Sequence, residues 1–140
     1  MLAGLVIVLS LAGLYIAGYF TLVYYGAIEA DAKLVPSFCR LERGTCQTIL
    51  QTRFARVFGV PNSLLGIGFY AVVLIIVSTG FASGAALSSL VIASWLAVAL
   101  GVFLVYALFF ILKIPCPLCI AGHSINLSIA VLLSFLFWKT

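Results

Sequence analysis

Residues 2–25 read LAGLVIVLSLAGLYIAGYFTLVYY, an apolar stretch that contains no charged residue. A helix that crosses the hydrocarbon core of a bilayer needs about 20 consecutive apolar residues. The stretch is therefore long enough for one transmembrane helix. The rest of the chain has a similar character, since 66% of its 140 residues are hydrophobic and only 7% are charged. A soluble domain of this length could not bury so much apolar surface, so the sequence predicts an integral membrane protein.

Three further apolar segments follow, and each begins next to a proline or a glycine. The four helices are expected at about residues 2–25, 62–79, 85–112 and 117–138. The sequence Pro61-Asn62-Ser63 indicates the start of the second helix, with a polar N-cap. The predicted fold is an all-α integral membrane protein: a single domain over residues 1–140 in which four transmembrane helices form a bundle.

The loop between the first two predicted helices, residues 26–61, is the one sizeable segment outside the membrane. It contains two cysteines, Cys39 and Cys46. Its second half, residues 47–59, has apolar side chains at helical spacing with Arg53 and Arg56 between them. This pattern predicts a short amphipathic helix that lies in the membrane interface. The loop also carries eight charged residues: Glu29, Asp31, Lys33, Arg40, Glu42, Arg43, Arg53 and Arg56.

Several classes of function are disfavoured by what the sequence lacks. Five of the seven basic residues behind the net charge of +4 lie in the loop of residues 26–61 and no basic helix face is present, so no nucleic-acid partner is expected. The sequence has no paired carboxylates, no glycine-rich phosphate loop and no Ser/His/Asp set. Hydrolase and nucleotide chemistry are therefore disfavoured.

The predicted topology brings the four cysteines to one face of the membrane. With four spans, the first and third connections lie on the same side. Cys39 and Cys46 are in the first connection, and Cys116 and Cys119 are at the third, where the fourth helix begins. Two cysteine pairs that are distant in sequence should therefore meet at one end of the bundle.

The sequence Cys116-Pro-Leu-Cys119 places a Cys-X-X-Cys at a helix N-terminus. The free N–H groups and the helix dipole at this position favour a thiolate, the species that attacks disulfides. Two sulfurs at this spacing can close a reversible bridge. The alternative for this motif is half of a zinc site, but the six residues between Cys39 and Cys46 are more than common zinc spacing allows. We therefore predict no metal site.

For Cys39 and Cys46 taken alone, a static disulfide that fastens the loop is the simpler interpretation. A second cysteine pair on the same membrane face favours a relay of thiol–disulfide exchange between the two pairs. A third possibility is a membrane scaffold without enzymatic activity, whose cysteines hold a metal.

Three segments make the chain resemble the vitamin K epoxide reductase family, in particular its prokaryotic disulfide-forming members. They are the loop pair Cys39-Arg-Leu-Glu-Arg-Gly-Thr-Cys46, the sequence Pro61-Asn62-Ser63-Leu-Leu-Gly-Ile-Gly-Phe-Tyr70, and the sequence Cys116-Pro-Leu-Cys119-Ile-Ala-Gly-His123-Ser-Ile-Asn126. The order of the motifs, with the loop pair first and Cys-X-X-Cys on the last helix, distinguishes this family from the other four-helix disulfide-generating family. The resemblance covers nearly the whole chain.

The resemblance implies a redox function for all four cysteines. Cys119 would be the thiol next to a quinone of the ubiquinone, menaquinone or vitamin K type, and it would form a disulfide with Cys116 as electrons pass to the quinone. Cys46 would exchange with Cys116, and Cys39 would exchange with a separate thioredoxin-fold protein. A true quinone or quinone-epoxide reductase that uses thiols only as donors is the alternative enzyme.

The resemblance also implies a set of quinone contacts. Asn62 would bond one quinone carbonyl, although its role as a helix N-cap is equally compatible with the sequence. His123 stands where family members that reduce vitamin K commonly have a tyrosine. Residues Thr52, Arg53, Phe54 and Phe58 would belong to a half-helix that forms a lid over the pocket. Asn126 lies deeper in the membrane and is expected to bond a neighbouring helix.

The orientation of the cysteine-bearing face is predicted differently by two criteria. Family members that oxidise exported proteins have their cysteines outside the cytoplasm, which is where disulfides persist. The positive-inside rule favours a cytoplasmic location, since Lys33, Lys113 and four loop arginines lie on that face and only Lys139 lies on the other. The expected protein is a monomer in the cell membrane, with an extracytoplasmic active face by family default and an inverted topology as the alternative.

Overall fold

A computed structural model describes residues 1–25, 56–57, 60–80, 84–112 and 117–139. Its helices are α1 (Leu2–Tyr24), α2 (Asn62–Ser78), α3 (Gly84–Tyr106) and α4 (Pro117–Lys139). A π-helical segment, Ala107–Leu112, extends α3. Before α2, the two short strands β1 (Arg56–Val57) and β2 (Val60–Pro61) pair antiparallel. The predicted helix bounds agree with the observed ones to within one residue, when the π-helical segment is counted with α3.

The end of α2 has a local cause in the sequence. Thr79 forms the C-cap, and its backbone N–H donates to the carbonyl of Ile75 at 3.0 Å. Gly80 follows with a φ of +75°, a conformation that an L-residue with a side chain rarely adopts. The chain therefore leaves the helix at the glycine, as the predicted turn after residue 79 requires.

Three of the four helices are long and apolar enough to cross a membrane. These spans are Leu2–Leu22, Gly84–Ile111 and Cys119–Lys139, so the chain is a multi-pass membrane protein. Helix α2 is apolar but has only 17 residues. At 1.5 Å per residue it is about 26 Å long, slightly less than the hydrocarbon core of a typical bilayer.

Helix α2 runs antiparallel to α1, and the two helices stay in register over successive turns. In the first turn of α2, Ser63 Oγ lies 3.0 Å from Thr21 Oγ1, near the end of α1. Gly66 then packs against Ala17. One turn further along α2, the ring of Tyr70 lies against Gly13 of α1. Helix α2 thus follows α1 from its last turns toward its start.

Helix α4 also packs against α1 and is antiparallel to it. Gly122 packs against Ile16, and Leu2 shares an open groove with Leu132 and Phe135 at the opposite end. Helix α3 packs against α4, where Trp95 Nε1 donates a hydrogen bond to Ser134 Oγ at 3.0 Å. Helix α1 therefore packs against both α2 and α4, and α3 packs against α4.

The bundle has apolar side chains both inside and outside. Val6, Val73, Leu87, Ile129 and Leu133 are fully buried in one core cluster that draws on all four helices. On the outer surface, large apolar side chains such as those of Ile75, Leu96 and Phe110 are more than 60% exposed. Such a surface is stable against lipid, which is as apolar as the side chains that it contacts.

Candidate active site

The end of the bundle where α1 ends and where α2 and α4 begin is called the cysteine end. Ser63 of α2 lies beside Thr21 there, and Gly122 of α4 packs against Ile16 of α1. Cys119 precedes Gly122 by three residues, so it lies near the level of the last turns of α1. The helix ends that flank both cysteine-bearing segments thus have the predicted arrangement. Cys39, Cys46 and Cys116 themselves lie outside the described residues.

Cys119 is in the first turn of α4 and is partly buried and disulfide-bonded. The sulfur is therefore in the oxidised state at a helix N-terminus. The predicted pairing with Cys116 stays a prediction, because that residue is not among those described.

A stripe of residues with reactive or polar side chains runs along α4 from the disulfide into the membrane. Cys119, His123 and Asn126 follow one another at spacings of four and three residues, which places them on one helix face. The same face continues to Ala130 and Leu133, both fully buried. The stripe therefore faces the interior of the bundle, and it runs from the disulfide-bonded sulfur of Cys119 to polar groups at membrane depth.

His123 contacts α3 at Gly101, a glycine in the interior of that helix. Its imidazole lies against Gly101, and a Cβ built on that glycine would be only 2.8 Å from His123 Nδ1. The His123 side chain as a whole is partly buried, while Nδ1 itself is fully buried. Within the described part of the chain, Nδ1 has no hydrogen-bond partner. His123 thus lies one helical turn from Cys119, as predicted, and its buried Nδ1 faces Gly101 without a hydrogen-bond partner in the described part of the chain.

Asn126 is bonded to a neighbouring helix, as the sequence predicts. The hydroxyl of Tyr70 on α2 donates a hydrogen bond to Asn126 Oδ1 on α4. Tyr70 is 4% exposed, and its ring edge packs at 61° against that of Phe69. The bond links two helices that are not sequence neighbours, and its principal role is to hold the interior of the bundle together.

We expect Tyr70→Phe to reduce the stability of the bundle by about 0.5–1.5 kcal/mol, because the Asn126 amide oxygen loses its donor in an apolar environment. Unfolding in detergent, followed by far-UV circular dichroism, measures the loss. Tyr106→Phe is the matched control, since Tyr106 is exposed on α3 with its ring against Phe110. Equal stability of Tyr70→Phe and the control would contradict a stabilising role for the bond.

Asn62 is not the N-cap of α2, contrary to the prediction. The N-cap position is occupied by Pro61, where no side-chain capping bond is formed. The reason is that β2 runs to Pro61 in extended conformation, so the helix begins at Asn62 itself. The Asn62 side chain is partly buried at the cysteine end, and it is not engaged in capping.

The predicted lid helix over residues 47–59 lies mostly outside the described residues, and so does Phe58. Where the structure describes this segment, it differs from the prediction: Arg56–Val57 form a strand that pairs with Val60–Pro61. A helix over the whole predicted range is therefore wrong at its end. The physical reason is that Arg56–Val57 pairs antiparallel with Val60–Pro61, and this pairing requires an extended backbone at Arg56 and Val57.

Sequence analysis missed two residues that shape the site. Gly101 is one of 12 glycines in the chain, and nothing in its local sequence marks it as a contact for His123. Tyr70 is the last residue of the family-like segment, but its partner Asn126 is 56 positions away. Only the packing of α2 and α3 against α4 reveals either contact. Among the described residues, no group of His, Cys, Asp and Glu side chains could hold a metal ion.

The described geometry defines a class of protein: a multi-pass helical membrane protein with a disulfide at one end of its bundle and a polar stripe below it. The family model of the vitamin K epoxide reductase family matches residues 4–134. The chain therefore belongs to this family of membrane oxidoreductases, which is quinone-linked in general. No curated protein matches the chain.

Proposed function

We propose that the protein is a disulfide-forming enzyme of the prokaryotic type within its family, which oxidises a thioredoxin-fold partner and passes the electrons to a membrane quinone. The observation that carries the proposal is the disulfide-bonded Cys119, one helical turn from the partly buried imidazole of His123. Both lie at the end of the bundle to which the two cysteine-bearing segments are attached. Membership of the vitamin K epoxide reductase family supports the same chemistry.

In the proposed relay, each exchange passes one electron pair inward. The partner's dithiol is oxidised by the Cys39–Cys46 disulfide, which is reduced to two thiols. Cys46 then attacks Cys116 of the Cys116–Cys119 disulfide, so that the loop disulfide re-forms and the Cys-X-X-Cys pair becomes the dithiol. Two protons and two electrons leave this pair for the quinone as its disulfide closes again. The partner gains one disulfide for each quinone reduced to quinol.

The donors available at the cysteine end fit a quinone. A quinone has two carbonyl oxygens that accept hydrogen bonds and cannot donate them, so its site needs donors. His123 provides an imidazole N–H one helical turn from Cys119, and Asn62 provides an amide that is not used for capping. We assign these two side chains, together with Phe58, to quinone binding. The quinone supplies a two-electron acceptor next to Cys119.

The proposed enzyme works as a monomer in the cell membrane, and its helices contact lipid over the outer surface of the bundle. We place the cysteine end on the extracytoplasmic side, where disulfides persist and exported proteins acquire them. The distribution of Lys and Arg favours the inverted topology, in which the enzyme would serve disulfide formation inside the cell.

The test of this function is the reduction of soluble ubiquinone and menaquinone analogues by the purified protein in detergent. With dithiothreitol as donor, the wild type should turn over well above a blank without protein. Cys39→Ala should keep this activity but lose at least about tenfold when a reduced thioredoxin-fold protein is the donor, because only the larger donor needs the loop thiol. Stoichiometric bound zinc without any quinone turnover would contradict the proposal and favour the metal-binding scaffold.

A further inference from the structure

Gly101 of α3 lies against the Nδ1 edge of the His123 ring. The Cβ direction of Gly101 points at the imidazole, with the built Cβ 2.8 Å from Nδ1 and 3.3 Å from Cγ. In the native protein a Cα hydrogen of Gly101 occupies this direction. The α3 backbone therefore approaches the Nδ1 edge of the ring more closely than any residue with a side chain would allow.

This close approach bears on which ring nitrogen carries the proton. A neutral imidazole has one N–H donor and one acceptor nitrogen, and the partner of each nitrogen decides between the two tautomers. Nδ1 is fully buried, and it has no hydrogen-bond partner in the described part of the protein. A proton on Nδ1 would leave a buried donor facing a C–H group, which costs the desolvation of that donor. A lone pair on Nδ1 meets the Cα hydrogen of Gly101 without such a conflict.

We propose that Gly101 is a positioning residue that keeps His123 in the tautomer protonated at Nε2, so that Nε2 donates a hydrogen bond to a quinone carbonyl. This inference rests on the proposed function and deepens it. A tyrosine hydroxyl can rotate to present its proton, whereas an imidazole donates only from the nitrogen that carries one. A histidine at this position therefore needs a neighbour that fixes its tautomer, and Gly101 is placed to do so.

The first measurement is direct, because the chain contains a single histidine. Protein labelled with ¹⁵N-histidine, in detergent at about pH 8 where an ordinary imidazole is neutral, gives one pair of ring nitrogen signals. We expect the wild type to show a protonated Nε2 and an unprotonated Nδ1. Gly101→Ala should shift this pattern toward a mixture of tautomers, since the added methyl group displaces the ring. Gly68→Ala is the matched control, because nothing lies within 4 Å of a Cβ at this exposed helical glycine. A wild-type pattern with the proton on Nδ1 would overturn the inference.

The second measurement separates positioning from packing. In Gly101→Ala and in His123→Ala, the KM for the quinone analogue should rise roughly three- to tenfold, the effect of one lost hydrogen bond, with the KM for dithiothreitol unchanged. In the double variant, Gly101→Ala should add nothing to His123→Ala, because the glycine acts only through the imidazole. An equal further rise in the double variant would overturn the inference.

The failure of the inference and the failure of the proposed function are distinguishable. If the wild type reduces quinones but has the other tautomer, only the role of Gly101 and Nε2 is overturned. If the wild type reduces no quinone at all, the proposed function fails, and the donor role of Nε2 fails with it regardless of the nitrogen signals.

Discussion

Cys119→Ala is expected to abolish quinone reduction with every thiol donor. Cys119 lies on the polar stripe of α4, and it is disulfide-bonded in the first turn of that helix. In the proposed relay its sulfur is the last electron carrier before the quinone. Without it the Cys-X-X-Cys pair cannot close a disulfide, so two electrons have no route to the acceptor. We expect the rate to fall by at least about a thousandfold, as for the loss of an enzyme's nucleophile.

The assay measures quinone analogue reduction in detergent with dithiothreitol as donor, and the slow direct reaction of the dithiol with the quinone is subtracted. Ser124→Ala is a matched control on the same helix, because Ser124 is exposed and its hydroxyl bonds only the Ile120 carbonyl, at 2.8 Å. The control should retain the wild-type rate. Substantial turnover by Cys119→Ala would refute the relay and with it the assignment of Cys119 as the thiol next to the quinone.

The same variant also separates electron transfer from electron entry. If Cys119→Ala stops quinone reduction, the loop pair should still exchange with a reduced thioredoxin-fold donor once, because that step needs only Cys39 and Cys46. Mass spectrometry after thiol alkylation would show one equivalent of partner oxidised for each loop disulfide present. A static loop disulfide would give no exchange in either the wild type or the variant.

The helices could be predicted from the sequence because lipid imposes a simple rule on them. Each stretch of about 20 apolar residues without a charge must satisfy its own backbone hydrogen bonds, and a helix does so within one segment. The predicted limits of all four helices hold for this reason. Turn chemistry was predictable as well: Gly80 has the positive φ that a chain reversal after α2 requires.

The N-cap of α2 was predicted wrongly because two rules compete there. A polar residue before an apolar run favours an N-cap at Asn62. The extended strand β2 includes Pro61 and moves the cap position one residue earlier, to a residue that has no side-chain acceptor. The hairpin at Arg56–Pro61 was missed for a related reason: apolar residues at helical spacing in so short a segment also fit paired extended strands.

The candidate site was predictable where local spacing defines it. Cys119 and His123 share a face because they are four residues apart on one helix, and this follows from helix geometry alone. The contacts that His123 and Asn126 make with other helices depend on how α2 and α3 pack against α4. With little hydrophobic driving force between helices in lipid, van der Waals fit and polar bonds decide this packing. The hydropathy pattern of a single segment does not show the fit or the polar bonds between two helices.

Gly13 is an example of such a fit between two helices. Among the changes considered, its replacement should reduce the stability of the bundle most. The ring of Tyr70 lies directly on the Gly13 backbone, so a built Cβ would be 2.8 Å from Tyr70 Cε2 and closer still to the end of the ring. Neither partner has free space, since Tyr70 is 4% exposed and its hydroxyl is bonded to Asn126. We expect Gly13→Ala to destabilise the bundle by about 1–3 kcal/mol, the usual cost of overpacking a closed interior.

Gly18→Ala provides the matched control, because Gly18 is on the same helix and nothing lies within 4 Å of a Cβ there. Unfolding in detergent should leave this control at or slightly above wild-type stability, since alanine is the better helix former. The double variant Gly13→Ala with Tyr70→Leu tests the cause, because a shorter side chain vacates the space that the new methyl group needs. If the double variant loses more unfolding free energy than the two single variants together, the close contact between α1 and α2 is not the reason that position 13 requires glycine. If the double variant recovers part of the lost stability, the contact between the Tyr70 ring and Gly13 determines how closely α1 and α2 approach. The same contact then also positions the Tyr70 hydroxyl for its bond to Asn126 on α4.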